Sequence, residues 1–194
     1  MTSNWIQTNA SSVADVAAGP DGRVWVAETT GTVWYSDDQG KTFHHVAASG
    51  FARLAVGPDS NVWGVGANGT LWVLNTALSW NKVATTIHAI DVTVAPDDTV
   101  WLVAADGTVF SSTNRGGTFT QIPAAGFSRV AADTDNSLWA VGSNGTLWHY
   151  SAAGVGGGWT QTPASGMQDV GVEWLNYFGG VHSGRVWQIG RAHV

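Results

Sequence analysis

Asn68-Gly69-Thr70-Leu71-Trp72 reads as a tight turn running straight into a strand, and versions of it punctuate the chain. The others are Thr30-Gly31-Thr32-Val33-Trp34, Asp106-Gly107-Thr108-Val109-Phe110, Asn144-Gly145-Thr146-Leu147-Trp148 and Ser183-Gly184-Arg185-Val186-Trp187. Asn-Gly or Asp-Gly between alternating apolar residues is the strongest short-range hairpin signal, and its two-residue form needs φ > 0 at both central positions. A two-residue turn sets Ala67 opposite Thr70, Val65 opposite Trp72 and Trp63 opposite Leu74. Opposed residues share a face. This register therefore predicts one bulky face (Trp63, Val65, Trp72) and one smaller face (Val62, Gly64, Gly66, Leu71). A second aromatic stands nine residues before each closing one: Trp25, Trp63, Trp101, Trp139 and Phe178. The first four are 38 residues apart, and a fixed period in this range means a repeat architecture.

Outward from the phrase, each repeat divides into four strand-like runs. The first is alternating and small, as in Phe51-Ala52-Arg53-Leu54-Ala55-Val56 and Ala89-Ile90-Asp91-Val92-Thr93-Val94. A Pro/Asp turn such as Gly19-Pro20-Asp21-Gly22 follows, where Pro presets φ and Asp hydrogen-bonds the backbone. The second run holds the first Trp, the third holds the phrase, and the fourth opens on Phe43, Trp80, Phe119 or Trp159. The fifth repeat lacks a fourth run, while Trp5-Ile6-Gln7-Thr8 resembles Trp159-Thr160-Gln161-Thr162. The expectation is a single all-β domain, 1–194: a five-bladed β-propeller with four antiparallel strands per blade. Its repeats span about 13–49, 50–86, 87–125, 126–165 and 166–194, and an N-terminal strand at 4–9 closes the last blade. Closure of that kind protects sheet edges.

Composition fits this. The 194 residues include 25 Gly and 12 Trp but only 11% charged residues, which suits short strands and tight turns. A net charge of −6, with eight scattered Lys and Arg, offers no basic stripe and excludes nucleic acid as a partner. No run approaches the roughly 20 apolar residues of a membrane helix. Met1–Gln7 carries no basic n-region or apolar run. The expected location is cytoplasmic, or outside the cell by release without a conventional signal peptide. With zero cysteines there is no disulfide framework and no thiolate metal site.

The repeat, xAx[VL]A[VA]GPDGxVWxVxxNGTLW with a trailing Trp, resembles the tectonin and tachylectin-2 class of β-propeller lectins over essentially the whole chain. That resemblance implies sugar sites, for instance for N-acetylated hexosamines or methylated glycans, repeated between blades. Ser36-Asp37-Asp38-Gln39-Gly40-Lys41-Thr42-Phe43 is similar to the Asp box of sialidases and related propellers, and Ser112–Phe119 is a weaker copy with Asn114 for Asp. In those families the box knits two strands and is not catalytic.

Chemistry is sparse. Most acids belong to repeated turns (Asp21, Asp59, Asp97, Asp135), so they read as structural. Glycoside hydrolysis wants two carboxylates about 5–10 Å apart, and Glu28 and Glu173 alone break the repeat pattern. No calcium loop or zincin spacing appears, so no metal, no cofactor and no enzymatic activity are expected. The candidate ligand-binding residues are Trp34, Trp72, Trp148 and Trp187, on which sugar C–H faces would stack. Asn68, Asp106 and Asn144 would serve as hydrogen-bonding partners. The bland alternative is that these Trp residues fill the seams between blades. Expected partners are glycans or glycoconjugates, bound through several sites; self-association into a homo-oligomer stays open. A protein-interaction propeller is the competing reading, with one dominant patch around Arg53 and Arg129 or at the irregular fifth repeat.

Overall fold

In the computed structural model, residues 8–75, 77–151, 158–173 and 185–190 are described, with 173 and 185–190 as backbone only. All regular structure among them is β. Four antiparallel four-stranded sheets follow in chain order. Blade one holds β1 (Val13–Ala18), β2 (Val24–Glu28), β3 (Val33–Ser36) and β4 (His44–Val46). Blade two holds β5 (Phe51–Val56), β6 (Val62–Gly66), β7 (Leu71–Leu74) and β8 (Trp80–Lys82). Blade three holds β9 (Ala89–Val94), β10 (Val100–Ala104), β11 (Val109–Ser112) and β12 (Thr120–Ile122). Blade four holds β13 (Phe127–Ala132), β14 (Leu138–Gly142), β15 (Leu147–Ser151) and β16 (Gly158–Gln161). A two-stranded sheet of β17 (Met167–Glu173) and β18 (Arg185–Gly190) comes fifth.

The repeated phrase is a turn, but not the two-residue one. Gly66 N–H bonds to the Thr70 carbonyl and Gly69 N–H to the Gly66 carbonyl, both at 2.8 Å, enclosing the three-residue loop Ala67-Asn68-Gly69. Only Gly69 has positive φ, at 77°, which is the type I turn plus left-handed residue of three-residue hairpins. The extra loop residue shifts the register by one and so exchanges faces. Gly64, not Val65, pairs with Trp72, and Trp63 pairs with Val73. The predicted bulky face is therefore corrected: Trp63 and Trp72 point to opposite sides of their sheet.

Both sides are used. Trp63, Val65 and Leu71 of blade two pack on Val92, Val94, Val100 and Leu102 of blade three. Trp25, Ala27 and Val33 of blade one meet Leu54, Val62 and Leu74 of blade two. Trp101, Val103 and Val109 of blade three meet Val130, Leu138 and Ala140 of blade four in the same way. The core is thus a row of seams between consecutive blades, in which burying apolar area supplies the driving force.

A main-chain staple fixes each blade to the next. Phe51 N–H donates to the Gly31 carbonyl of blade one (3.1 Å), while the Gly50 carbonyl accepts from Ala67 of blade two (2.7 Å). One linker peptide thereby bridges the phrase turns of two blades, and the same pair recurs at Ala89–Gly69 and at Phe127–Gly107. This approach explains the invariant Gly: a Cβ on Gly31 would stand 2.5 Å from the Gly50 backbone.

The fifth repeat corrects the sequence reading. β18 pairs with β17 as β14 pairs with β13, so Gly171 opposes Trp187 where Ala131 opposes Trp139. Trp187 thus lies on a second strand, equivalent to Trp25, Trp63, Trp101 and Trp139. Arg185-Val186-Trp187, read above as the end of a fifth phrase on a third strand, therefore runs along a second strand. The cause is ten extra residues between Trp139 and Trp187 relative to the 38-residue spacing, and Gly184-Arg185-Val186-Trp187 matches Gly22-Arg23-Val24-Trp25. Phe178, the irregular stretch Trp174–Gly180 and most of the predicted closing strand at 4–9 lie outside the described residues.

Candidate functional site

Between blades one and two lies a groove of about 590 Å³, walled by 47–50 on one side and by Phe51, Asn68, Thr70, Trp72, Ser79 and Trp80 on the other. Its aromatic floor arises from alternation along β5, β7 and β8, whose Phe51, Trp72 and Trp80 project to one side of the sheet. Phe51 and Trp80 lie 4.2 Å apart at 31°, and Trp72 meets Phe51 edge-on at 6.4 Å. Trp72 and Trp80 are half-buried. Gly64 makes the room, because a Cβ there would come within 2.6 Å of the Phe51 ring.

A short relay orients Trp72. Its Nε1 donates to Thr70 Oγ1 (2.8 Å), whose hydroxyl donates to Asn68 Oδ1 (2.6 Å). The Asn68 amide group stays exposed at the groove's lip with its Nδ2 unspent. Blade four repeats the arrangement: Trp148 Nε1 to Thr146 at 2.8 Å, Thr146 to Asn144 at 2.6 Å, and Phe127 stacked on Trp159 at 4.4 Å. Sequence reasoning missed Phe51, Trp80, Phe127 and Trp159 as site residues; the aromatic opening the fourth run (Trp80, Trp159) and the Phe opening the first run of the same blade (Phe51, Phe127) were the available signals.

Blades one and three differ. In blade three, Asp106 still accepts from Thr108 (2.6 Å), which holds its carboxyl below the usual range, but Phe110 has no N–H to join the relay. Ala89 replaces Phe51 there, and Leu102 fills the vacated space. In blade one, Trp34 lies half-buried and edge-on to His45 at 5.0 Å, and its Nε1 is buried without a hydrogen-bond partner. Val13 stands where Phe51 would, 44% exposed. The structure thus separates the predicted set: Trp72 with Asn68 and Trp148 with Asn144 share one environment, and Trp34 and Asp106 do not. The side chain of Trp187 lies outside the described residues.

The rival patches resolve differently. Arg53 and Arg129 face a central channel of about 720 Å³ bounded by β1, β5, β9, β13 and β17. Arg53 lies 4.0 Å from Asp15 and 3.8 Å from Asp91, and Arg129 lies 3.9 Å from Asp169, so both cations have counterions. Desolvation pushes the buried Asp91 carboxyl up to about 7, against the pull of the Val130 amide and both arginines. Glu28 opens onto a cavity lined also by Arg53 and Arg129, with no second carboxylate in that lining. The Ser36 turn is held by its own side chains: Gly40 N–H donates to Ser36 Oγ (2.8 Å), and Thr42 N–H to Asp38 Oδ1 (2.9 Å).

A Tectonin domain model matches residues 1–183. No curated protein sequence matches. Among solved structures, virginiamycin B lyase from Staphylococcus aureus superposes with a TM-score of 0.64 at 16% identity, covering 84% of this chain and 61% of the lyase. YCF48 from Cyanidioschyzon merolae gives 0.63 at 15% identity, covering 82% and 59%. A GH74 enzyme from Niastella koreensis gives 0.65 at 21% identity, covering 91% and 28%. The chain therefore spans less than two thirds of these neighbours, and at such identity they share the fold alone.

Proposed function

The chain belongs to the tectonin domain family, and on that premise we propose that it is a non-enzymatic, multivalent carbohydrate-binding propeller. In this reading five blades surround the channel, the fifth built on β17 and β18, and sugars occupy grooves between blades. The observation that carries it is the recurrence, in blades two and four alone among the four complete sheets, of one Phe/Trp/Trp cluster with one Trp–Thr–Asn relay.

The chemistry suits a pyranose. Trp72 and Trp148 offer half-exposed aromatic faces for C–H stacking, and their N–H groups are tied back into the protein, so the faces are held at a fixed angle. Asn68 and Asn144 keep an amide N–H₂ free to donate to a hydroxyl or carbonyl oxygen. An apolar wall with few fixed polar groups is the usual make-up of a small-molecule site. Two weak sites on one rigid body gain avidity on a glycan-dense surface. Arg53 and Arg129 have counterions inside the channel, which favours the sugar reading over a polypeptide held at that patch.

The test is a glycan array with the intact protein, then calorimetric stoichiometry on the strongest hit. Two sugars per chain is the expected result. Absence of binding to every glycan class by a folded sample overturns the proposal.

A further inference from the structure

The channel-facing position of the inner strand reads Asp15, Arg53, Asp91, Arg129, Asp169 from blade to blade, so the sign alternates. Alternation around a ring needs an even number. With five members one junction must join like charges, and here it is Asp169 against Asp15, where β17 meets β1. Three of the other four junctions are ion pairs at 3.8–4.0 Å. In the fourth, Arg129 acts electrostatically on Asp91.

Three independent features mark the same junction. Each aspartate inside the ring reaches the next blade: Asp15 accepts from Leu54 N–H (2.7 Å) and Asp91 from Val130 N–H (2.9 Å). Asp169 instead accepts from its own neighbour, Val170 N–H at 2.9 Å. The residue after the ring position is buried in blades two to five, with Leu54, Val92, Val130 and Val170 at 6% exposure or less, whereas Val16 is 60% exposed. Finally, β1 packs on β5, β5 on β9, β9 on β13 and β13 on β17, but among the described residues no comparable packing joins β17 to β1.

We propose that this odd-numbered charge ring sets where the propeller opens: the like-charged Asp169/Asp15 junction makes the β17–β1 seam a built-in gate whose closure depends on ionic strength. Opening there widens the side of the channel beside Val16, which is already 60% exposed, while the other inner-strand seams, where Asp and Arg alternate, stay shut. Added salt screens the repulsion over about 10 Å at 0.1 M, so the gate closes as salt rises and loosens as it falls.

Moving the mismatch tests this. In Asp169→Arg, the seam becomes Arg against Asp15, and the like pair moves to Arg129 and position 169. Native-state hydrogen exchange on the full chain, at low and high salt, reports each strand separately. In the wild type, β1 amides are expected to exchange several times faster in low salt than in high salt. In Asp169→Arg, β1 protection rises severalfold and loses its salt dependence, while the β13–β17 seam acquires one. Asp15→Asn, which keeps an acceptor for Leu54 N–H, serves as the second variant and raises β1 protection without weakening β13. Unchanged β1 exchange in both variants overturns the proposal, as does a uniform change across all blades.

Discussion

Blade three holds the answer to what shapes the groove of blade two, because the two carry the same space filled from opposite sides. In blade two the large residue is Phe51, 5% exposed, and the small one is Gly64; in blade three these are Ala89 and Leu102, both buried. Transplanting the second solution, as Phe51→Ala with Gly64→Leu, should therefore leave the fold intact and remove the aromatic floor. Alone, Phe51→Ala creates a cavity in a packed seam and costs about 3–5 kcal/mol. Alone, Gly64→Leu drives a side chain into a ring already 2.6 Å from the first added carbon, an overpacking cost of about 1–3 kcal/mol. Independent effects would sum to about 4–8 kcal/mol. The double variant conserves volume and should lose no more than about 1.5 kcal/mol, which is a coupling of at least about 2.5 kcal/mol, at or above the top of the range for residues in contact. Urea denaturation of the four proteins at constant m-value measures the cycle. A double variant as unstable as the sum of the singles would falsify the equivalence of the two blades. In calorimetry the double variant should also bind one sugar fewer per chain than the parent.

Three further outcomes follow from the geometry. Trp72→Ala is expected to weaken sugar binding at one of two sites while the fold survives, because Trp72 is half-buried at a groove wall; a chain that no longer folds would assign Trp72 to the seam alone. Asp91 has its folded pKa raised from 3.8 to about 7, so its contribution to stability is complete below about pH 4 and is lost as pH rises through 7. At about 1.4 kcal/mol per unit this is about 4 kcal/mol; thermal melts should show Asp91→Asn flattening the wild-type decline between pH 4 and 7, and parallel curves for the two proteins would contradict it. Gly31→Ala should destabilise more than Gly145→Ala: both have positive φ, but the added carbon sits 2.5 Å from the Gly50 backbone in the first and 3.3 Å from Gly166 in the second. Equal denaturation midpoints would show that φ alone matters.

Much of this architecture was legible because apolar alternation and turn residues act locally. The four strands per repeat, the Pro/Asp turns and the seam role of Trp63 follow from patterns of a few residues. The register did not, because Asn-Gly suits both a two- and a three-residue loop and the choice depends on whether Gly66 or Ala67 closes the hairpin. That single residue decided which face Trp72 occupies. The fifth repeat misled for a different reason: a turn-like Ser-Gly before Val-Trp was read by its likeness to the phrase, although Gly-Arg-Val-Trp of the first repeat was the better match. Arg53 and Arg129 were visible as equivalent, but their counterions are distant in sequence: Asp15 and Asp91 each stand 38 residues from Arg53, and Asp169 stands 40 residues from Arg129. Only the closing of inner strands around one channel brings them together.

The linker peptide that ties each blade to the next uses carbonyls and amides that every repeat possesses. Blade pitch is therefore indifferent to what the groove side chains become. Blade three shows the result, carrying Leu102 where blade two has an aromatic floor, with its staples intact at Ala89–Gly69 and Phe127–Gly107. The side chains of one groove can therefore change without those of the next, while the body that spaces the grooves stays the same.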